Sequence, residues 1–577
     1  MKKTILLSLI CFTFIAAQNI LSQQRYVDEV FTNVDVEYDK VYGSNISIFS
    51  TLLGLSPQMQ DLTMDIYTPS NDTVTDRPVV IMIHTGSFMP RILNGQATGD
   101  KSDNVIVEQC MQFAKKGYVA CAINHRLGWN PTSDNEDVRR RSLIQAAYRG
   151  VQDTRTAIRF LRKSVAEDNN PYGLSCQVAV GGIGTGGYIS LATASLNNYD
   201  TELTLPKFLD TSQDVDGDGT LDAVPYIIPE FFGDINGTST GVLEELDLNG
   251  DGTPEFTDVT LCVPNHVGYS SSVDMVFNIG GALPDSSWIE PGEAPVASMH
   301  CYLDEFGPYE IGDILVPVTN EFVIEGHGSL VVVRKSTEFG NNDAFEGLSM
   351  EINDSWYGNG NGANNSMLQI QAQNDFGMDL YIGSDGNPTN LSNDLETGEA
   401  NPPLWIFPGH EVYPGLFTVV APRGDQLDPS LCDDCGNSAP SCFGVSWDEQ
   451  GSPWDWWNND IDDPAGYPQL AWQNEGQPEQ PDPFYLGCLA TNDNPDMSEE
   501  KGLAFASMIQ EFIAPRIYAA LDLSSELNTC SINDLNFNKK LIKVVDVTGR
   551  EVNNNTKSSV LIKLFDDGSV LKTYTTK

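Results

Sequence analysis

Positive charge is the scarcest resource of this chain. Its 577 residues carry 32 lysines and arginines against 80 aspartates and glutamates, a net charge of −48. Such a surface repels nucleic acid and anionic membranes, which excludes both as partners. Histidine is also scarce, at six residues, so few positions can serve as an acid–base group near neutral pH. Long apolar runs are missing after the amino terminus, which leaves no segment expected to span a bilayer in the mature chain.

What stands at the start is a short apolar run, Ile5 to Ala17, behind Lys2 and Lys3 and followed by polar residues from Gln18. This is the pattern of a secretory signal over residues 1–23, and it predicts an exported or cell-surface protein. Of eleven cysteines Cys11 lies in that leader, and the remaining ten permit disulfides in an oxidising compartment. The closely spaced Cys432, Cys435 and Cys442 lack an obvious fourth metal ligand and fit local disulfides better than zinc.

The periodicity between residues 24 and 525 is that of an α/β protein. "RPVVIMIHTGSF", "GYVACAINHRLGW", "QVAVG", "VDMVFNIGG" and "APVASMHCY" each contain a short apolar run of the kind buried on both faces of a parallel sheet. Helical spacing separates them in "NVIVEQCMQFAKKG", in residues 139–163 and in residues 498–521. "LTMDIYTPS" (Leu62–Ser70) alternates like an edge strand. Strands alternating with helices predict a doubly wound, mostly parallel sheet. Residues 205–265, acidic and glycine-rich, and residues 346–403, rich in Asn, Gly and Ser, read as surface insertions. In "SPWDWWNND" Trp454, Trp456 and Trp457 either plug a loop onto the core or, if exposed, stack against a ligand.

The chemistry centres on "VAVGGIGTGGYIS", a strand, a glycine turn and a helix start. Gly182, Gly184 and Gly186 occupy the three fixed positions of G-x-S-x-G, with glycine where the nucleophilic serine belongs. The near match to a dinucleotide G-x-G-x-x-G is discounted, because the loop lies after several strands instead of opening the fold. With "IHTGSF", "GYVACAINHRL", "VQDTRTAIRFLRK" and "APVASMHCYLDEFGPYEIG" around this turn, the chain resembles the α/β-hydrolase family in its carboxylesterase and lipase branch over about Leu62–Leu521. The resemblance implies an oxyanion hole from the backbone N–H groups of Gly86, Ser87 and Thr185, with Asp304 as the acid that orients a histidine. His410 in "LWIFPGHEVYPG" is preferred for that histidine over His327 in "VIEGHGSL".

Gly184 itself is a vacant nucleophile position. Three readings stay open: a degenerate, carboxylesterase-like protein that binds a small or polymeric ester-like ligand; an active hydrolase using the Thr185 hydroxyl or a His410-activated water; or a calcium-stabilised adhesion protein.

Calcium enters through two acidic loops. "DVDGDGTLD" places Asp214, Asp216, Asp218, the Thr220 carbonyl and Asp222 at positions one, three, five, seven and nine. "DLNGDGTPE" repeats this with Asp247, Asn249, Asp251, the Thr253 carbonyl and Glu255. Alternating oxygens around a glycine turn suit a structural calcium ion, although position twelve departs from the EF-hand in both copies. No organic cofactor is expected. The last segment, residues 531–577, has alternating strands with Thr-Gly and Asp-Gly turns and reads as a small β-sandwich. "VVDVTGREV" and "DDGSVLK" resemble the C-terminal sorting domains of Bacteroidota type IX secretion cargo, which implies that the type IX machinery is a partner.

Overall fold

The computed structural model describes residues 23–53, 55–94, 97–213, 218–246, 253–301, 304, 306–316, 321–349, 413–419, 452–457, 469–471, 483–485, 499–524, 541–546, 550, 560–565 and 570–574. Eight strands form the main sheet: β1 (Val34–Ser47), β2 (Gln58–Pro69), β3 (Arg77–Ile83), β4 (Val119–Ile123), β5 (Leu174–Ile183), β6 (Met275–Ile279), β7 (Val296–Cys301) and β8 (Leu416–Val419). Their spatial order is β1-β2-β4-β3-β5-β6-β7-β8. β1 and β2 run antiparallel to their neighbours, and the pairings from β4 through to β8 are parallel.

This is the α/β sheet that the apolar runs predict, with one correction. Leu62–Ser70 is not at the edge, because β1 pairs along the far side of β2 from Val34↔Pro69 to Ser47↔Gln58. β1 escapes a periodicity reading because "VDVEYDKVYGSNIS" is interrupted by two register shifts, which break its alternation.

Each central strand feeds two cores. Along β3, Val79, Ile81 and Ile83 enter one apolar cluster while Val80 and Met82 enter the other. β4 divides its residues in the same way. A strand places successive side chains on opposite faces, so a continuous apolar run is required when helices cover both. On one face lie α1 (Asn104–Lys116) and α5 (Glu499–Ala520), joined at Gln510 Nε2→Gln109 Oε1, 2.7 Å. On the other lie α2 (Glu136–Glu167), α3 (Thr185–Ser195) and α4 (Ser329–Glu338). α2 starts where Asn135 caps Asp137 N–H at 2.8 Å, and it exceeds the span expected from spacing at both ends.

The insertion at 205–265 holds two antiparallel hairpins, Leu209–Gln213 with Asp222–Pro225 and Gly241–Leu246 with Phe256–Cys262, neither joined to the main sheet. At the carboxyl end, Leu541–Asp546, Val560–Phe565 and Val570–Tyr574 form a three-stranded antiparallel sheet. The insertion at 346–403 and the clustered Cys432, Cys435 and Cys442 fall outside the described residues, apart from positions 346–349. Cys110, Cys121, Cys262 and Cys301 are buried free thiols, and Cys176 is in a disulfide. Among the described residues, no helix is long and apolar enough to cross a membrane.

Candidate functional site

The turn at Gly184 joins β5 to α3 and lies at φ +52, ψ −118. A left-handed φ is costly for most side chains but open to glycine. The flanking glycines are required by contact: a Cβ on Gly182 would stand 2.1 Å from the Gly186 backbone, and one on Gly186 2.2 Å from the Ile83 carbonyl. Helix and strand therefore approach at van der Waals distance, as an elbow demands.

The vacancy at Gly184 is not empty space. A Cβ built there would meet Thr85 Oγ1 at 2.3 Å. Thr85 belongs to the loop after β3, and its hydroxyl crowds the position from which a side chain at 184 would start. Sequence reading missed this residue, because the closeness of Thr85 to Gly184 is visible only once β3 and β5 are side by side.

The proposed oxyanion residues are brought to the same turn. Gly86 (φ +111) and Ser87 (φ +54) follow Thr85 in left-handed conformations, and the Ser87 carbonyl accepts from Trp129 Nε1 at 2.8 Å. Thr185 opens α3; its Oγ1 is buried without a hydrogen-bond partner among the described residues. Among the described residues no base is placed against that hydroxyl.

Asp304 follows β7 and faces the cavity. Its Oδ1 accepts from Phe306 N–H at 2.8 Å and Gly307 N–H at 3.0 Å. Burial nevertheless pushes its carboxyl up to about 7, against the lowering effect of those two N–H donors. His300, which sequence reading did not single out, stands on β7 with Nε2 at 3.7 Å from Asp304 Oδ2. Its Nε2 hydrogen bonds the Gly307 carbonyl at 3.1 Å, and its Nδ1 pairs with Ser329 Oγ at 2.6 Å. A carbonyl only accepts, so the proton is assigned to Nε2, and His300 anchors the acid loop. Burial lowers its imidazole to about 4.

His327 is not brought to this acid. Its Nδ1 accepts from the Ser286 N–H at 3.0 Å and pairs with Ser286 Oγ at 2.8 Å, and its Nε2 faces Glu325 at 3.9 Å. His410 lies outside the described residues, and β8 follows it in the chain. Past β8 the sequence contains no histidine.

Thr85, Gly184, Thr185 and Asp304 line one cavity of about 120 Å³. Its walls are mainly apolar, from Leu143, Val151, Leu196 and the rings of Trp129, Trp288, Trp454 and Trp457 among others. The tryptophan cluster is thus buried, as a plug would be, and two of its three members also form cavity wall.

Of the calcium set, Asp218, Thr220, Asp222, Thr253 and Glu255 are described, whereas Asp214, Asp216, Asp247, Asn249 and Asp251 are not. Asp218 Oδ1 accepts from both N–H (2.8 Å) and Oγ1 (2.5 Å) of Thr220, and Gly219 takes φ +89, the turn that position six requires. Among the described residues, no group of three or more acidic, histidine or cysteine side chains is placed to hold a metal.

An eight-stranded, mostly parallel sheet with an elbow after β5 and an acid after β7 defines an α/β fold consistent with that of the α/β-hydrolases. Residues 64–225 match the BD-FAE family, an esterase-like group of that fold, across β2 to β5 and the elbow. No curated protein matches. Solved structures similar to this chain include Thermogutta terrifontis esterase 2 phosphorylated by paraoxon, at 16% identity and a TM-score of 0.25, covering 48% of this chain and 73% of that one. Esterase B from Lactobacillus rhamnosis, inhibited by a tributyrin phosphonate, shows 21% identity and a TM-score of 0.19, over 34% of this chain and 50% of that one.

Proposed function

We propose that this protein is a carboxylesterase-like binding protein, which holds an ester-like ligand in the former acyl pocket without serine catalysis. One observation carries the reading: Gly184 supplies no nucleophile, and Thr85 Oγ1 fills the space in which one would stand. Acyl transfer needs an oxygen or sulfur whose proton a base can take. Neither Thr185 Oγ1 nor Asp304 has a histidine positioned for that transfer among the described residues. The apolar cavity remains, and burying an acyl chain there is favourable by about 25 cal/mol per Å².

The active alternative, through Thr185 or a water activated by His410, is separated by one experiment. Full-length protein is given a series of short-chain nitrophenyl esters, with release of nitrophenol and quenching of tryptophan fluorescence followed together. Saturable quenching without nitrophenol release above buffer is expected. Release that disappears in Thr185→Ala or His410→Ala would overturn the binding reading in favour of a hydrolase.

The signal-like amino terminus supports export, and the resemblance of residues 531–577 to sorting domains supports delivery by a type IX route to the cell surface or medium. Calcium is proposed as a structural ion of the acidic loops, on their donor spacing and the left-handed Gly219.

A further inference from the structure

β3 and β4 run parallel and end in register, with Ile83 opposite Ile123. Each is followed within two residues by a histidine, His84 and His125, so both rings leave neighbouring strands at the same edge of the sheet. They stack, with centroids 4.7 Å apart and planes 26° from parallel, and each residue is only 1% exposed. The Thr85 carbonyl accepts from His84 Nδ1 at 2.6 Å, which places a proton on that nitrogen. His84 Nε2 and both nitrogens of His125 have no hydrogen-bond partner among the described residues. Buried polar atoms are nearly always paired, so three orphans in one stack need a reason.

The charges around the stack oppose a proton on His125. Arg126, its neighbour in the chain, is matched by Asp153 of α2. Arg149, also on α2, is not matched: it donates to the Gly128 carbonyl, but its Nε and Nη1 find no partner among the described residues. α2 passes so close that a Cβ on Gly150 would lie 3.5 Å from His125 Cδ2. Burial first, then His84 and the two arginines, hold the His125 imidazole well below its ordinary 6.5. Asp100 and Asp103 face His84 from the segment before α1. Both are committed elsewhere, Asp103 to Arg91 and the Gly99 N–H, Asp100 to Ser102 and Asn124.

The stack is joined to a strained loop. Gly86, Ser87 and Phe88 follow one another at φ +111, +54 and +55, and the last two carry side chains ill suited to that region. Three hydrogen bonds hold them there. Asn94 Nδ2 donates to the Gly86 carbonyl at 3.3 Å, Trp129 Nε1 to that of Ser87 at 2.8 Å, and Gly128 N–H to that of Phe88 at 2.8 Å. The Phe88 ring stands edge-on to His125, 6.4 Å between centroids. Thr85, Ser87 and Phe88 also form part of the cavity wall.

We propose that the His84–His125 stack is an acid-sensitive catch: proton uptake at His125 parts the rings and lets the loop Thr85–Phe88 leave the cavity wall. In the closed arrangement that proton would be buried without an acceptor, beside an unmatched guanidinium. With the loop displaced, water solvates it. The open form thus binds the proton in the ordinary imidazole range and the closed form refuses it, so falling pH selects the open form. This goes beyond the binding reading above, because the response belongs to the protein without ligand.

The test is amide hydrogen exchange of the full-length, ligand-free chain at pH 7.5 and pH 5, corrected for the intrinsic rate at each pH. Met89 N–H, bonded to the Gly86 carbonyl, and Gly128 N–H report the loop, and the amides of α1 report the rest of the fold. Loop exchange is expected to be up to about thirtyfold faster at pH 5, with α1 unchanged. In His125→Phe, which stacks but cannot titrate, both pH values should give one rate; His125→Gln serves if that variant fails to fold. Equal loop exchange at the two pH values, an equal rise in α1, or an acid response kept by the variants each overturns the catch and leaves the binding reading standing. Loop opening in acid with no quenching by the nitrophenyl esters leaves the catch and overturns the binding reading.

Discussion

His300 Nε2 lies 3.7 Å from Asp304 Oδ2, yet it hydrogen bonds the carbonyl of Gly307 instead. Burial shifts the two groups in opposite directions, Asp304 up to about 7 and His300 down to about 4, so both are held neutral over the interval between. The pair is therefore not an ion pair at mildly acidic pH.

That relationship has a signature in stability. From about pH 4 to 7 folded Asp304 keeps a proton that the unfolded chain has released, so its contribution to stability declines as pH rises. His300 acts oppositely: between pH 6.5 and about 4 the unfolded imidazole takes up a proton that the folded one refuses, so stability declines as pH falls. Asp304→Asn leaves the histidine unopposed. The stability of this variant relative to wild type should rise with pH between 4 and 7, by up to about 1.4 kcal/mol per unit. Melting temperatures measured across that range check this; a difference independent of pH would refute it.

Restoring serine at the elbow should not restore an esterase. In Gly184→Ser the new Cβ arrives 2.3 Å from Thr85 Oγ1, at φ +52. A loss of about 1–3 kcal/mol is expected from the strained backbone and the clash. Combining it with Thr85→Gly should recover part of that loss in a thermal melt. Neither variant should react with a fluorophosphonate probe, and labelling of the single variant would show that Thr85 does not hold the space.

Arg126 and Asp153 form a fully buried pair, with Arg126 Nε at 2.9 Å from both carboxylate oxygens and its N–H at 2.8 Å from Oδ2. Removing one partner strands the other charge in the interior. Asp153→Asn is expected to cost about 3–5 kcal/mol, whereas Glu37→Gln, at an exposed pair with Lys40, should cost less than about 1 kcal/mol. Denaturant or thermal unfolding distinguishes the two.

Calcium should stabilise the folded chain if the acidic loops bind it, because an ion bound only by the native state shifts the unfolding equilibrium. A melting temperature that falls in EGTA and recovers with added calcium, but not with magnesium, is the expected outcome. Identical melting in EGTA and in calcium would remove the ion from the account.

Much of this architecture is legible in one dimension. Val79–Ile83 is apolar at every position because helices cover both faces of the strand, and that requirement is written locally. Gly182 and Gly186 mark an elbow for an equally local reason, since a Cβ at either would strike backbone. β1 was not legible, because its bulges interrupt the period of two. His300 was not singled out either, because a single histidine within an apolar strand carries no pattern of its own.

The sequence by itself determined the alternation of strands and helices, the glycine turn after β5, the acid after β7 and the acidic character of the chain. Each is a property of neighbouring residues or of composition. Tertiary structure alone decided that Thr85 Oγ1 stands beside Gly184 and that His327 is committed to Ser286. Those contacts join segments far apart in the chain. Which side chain occupies a vacancy depends on packing distances of a few ångströms, and no local period encodes them.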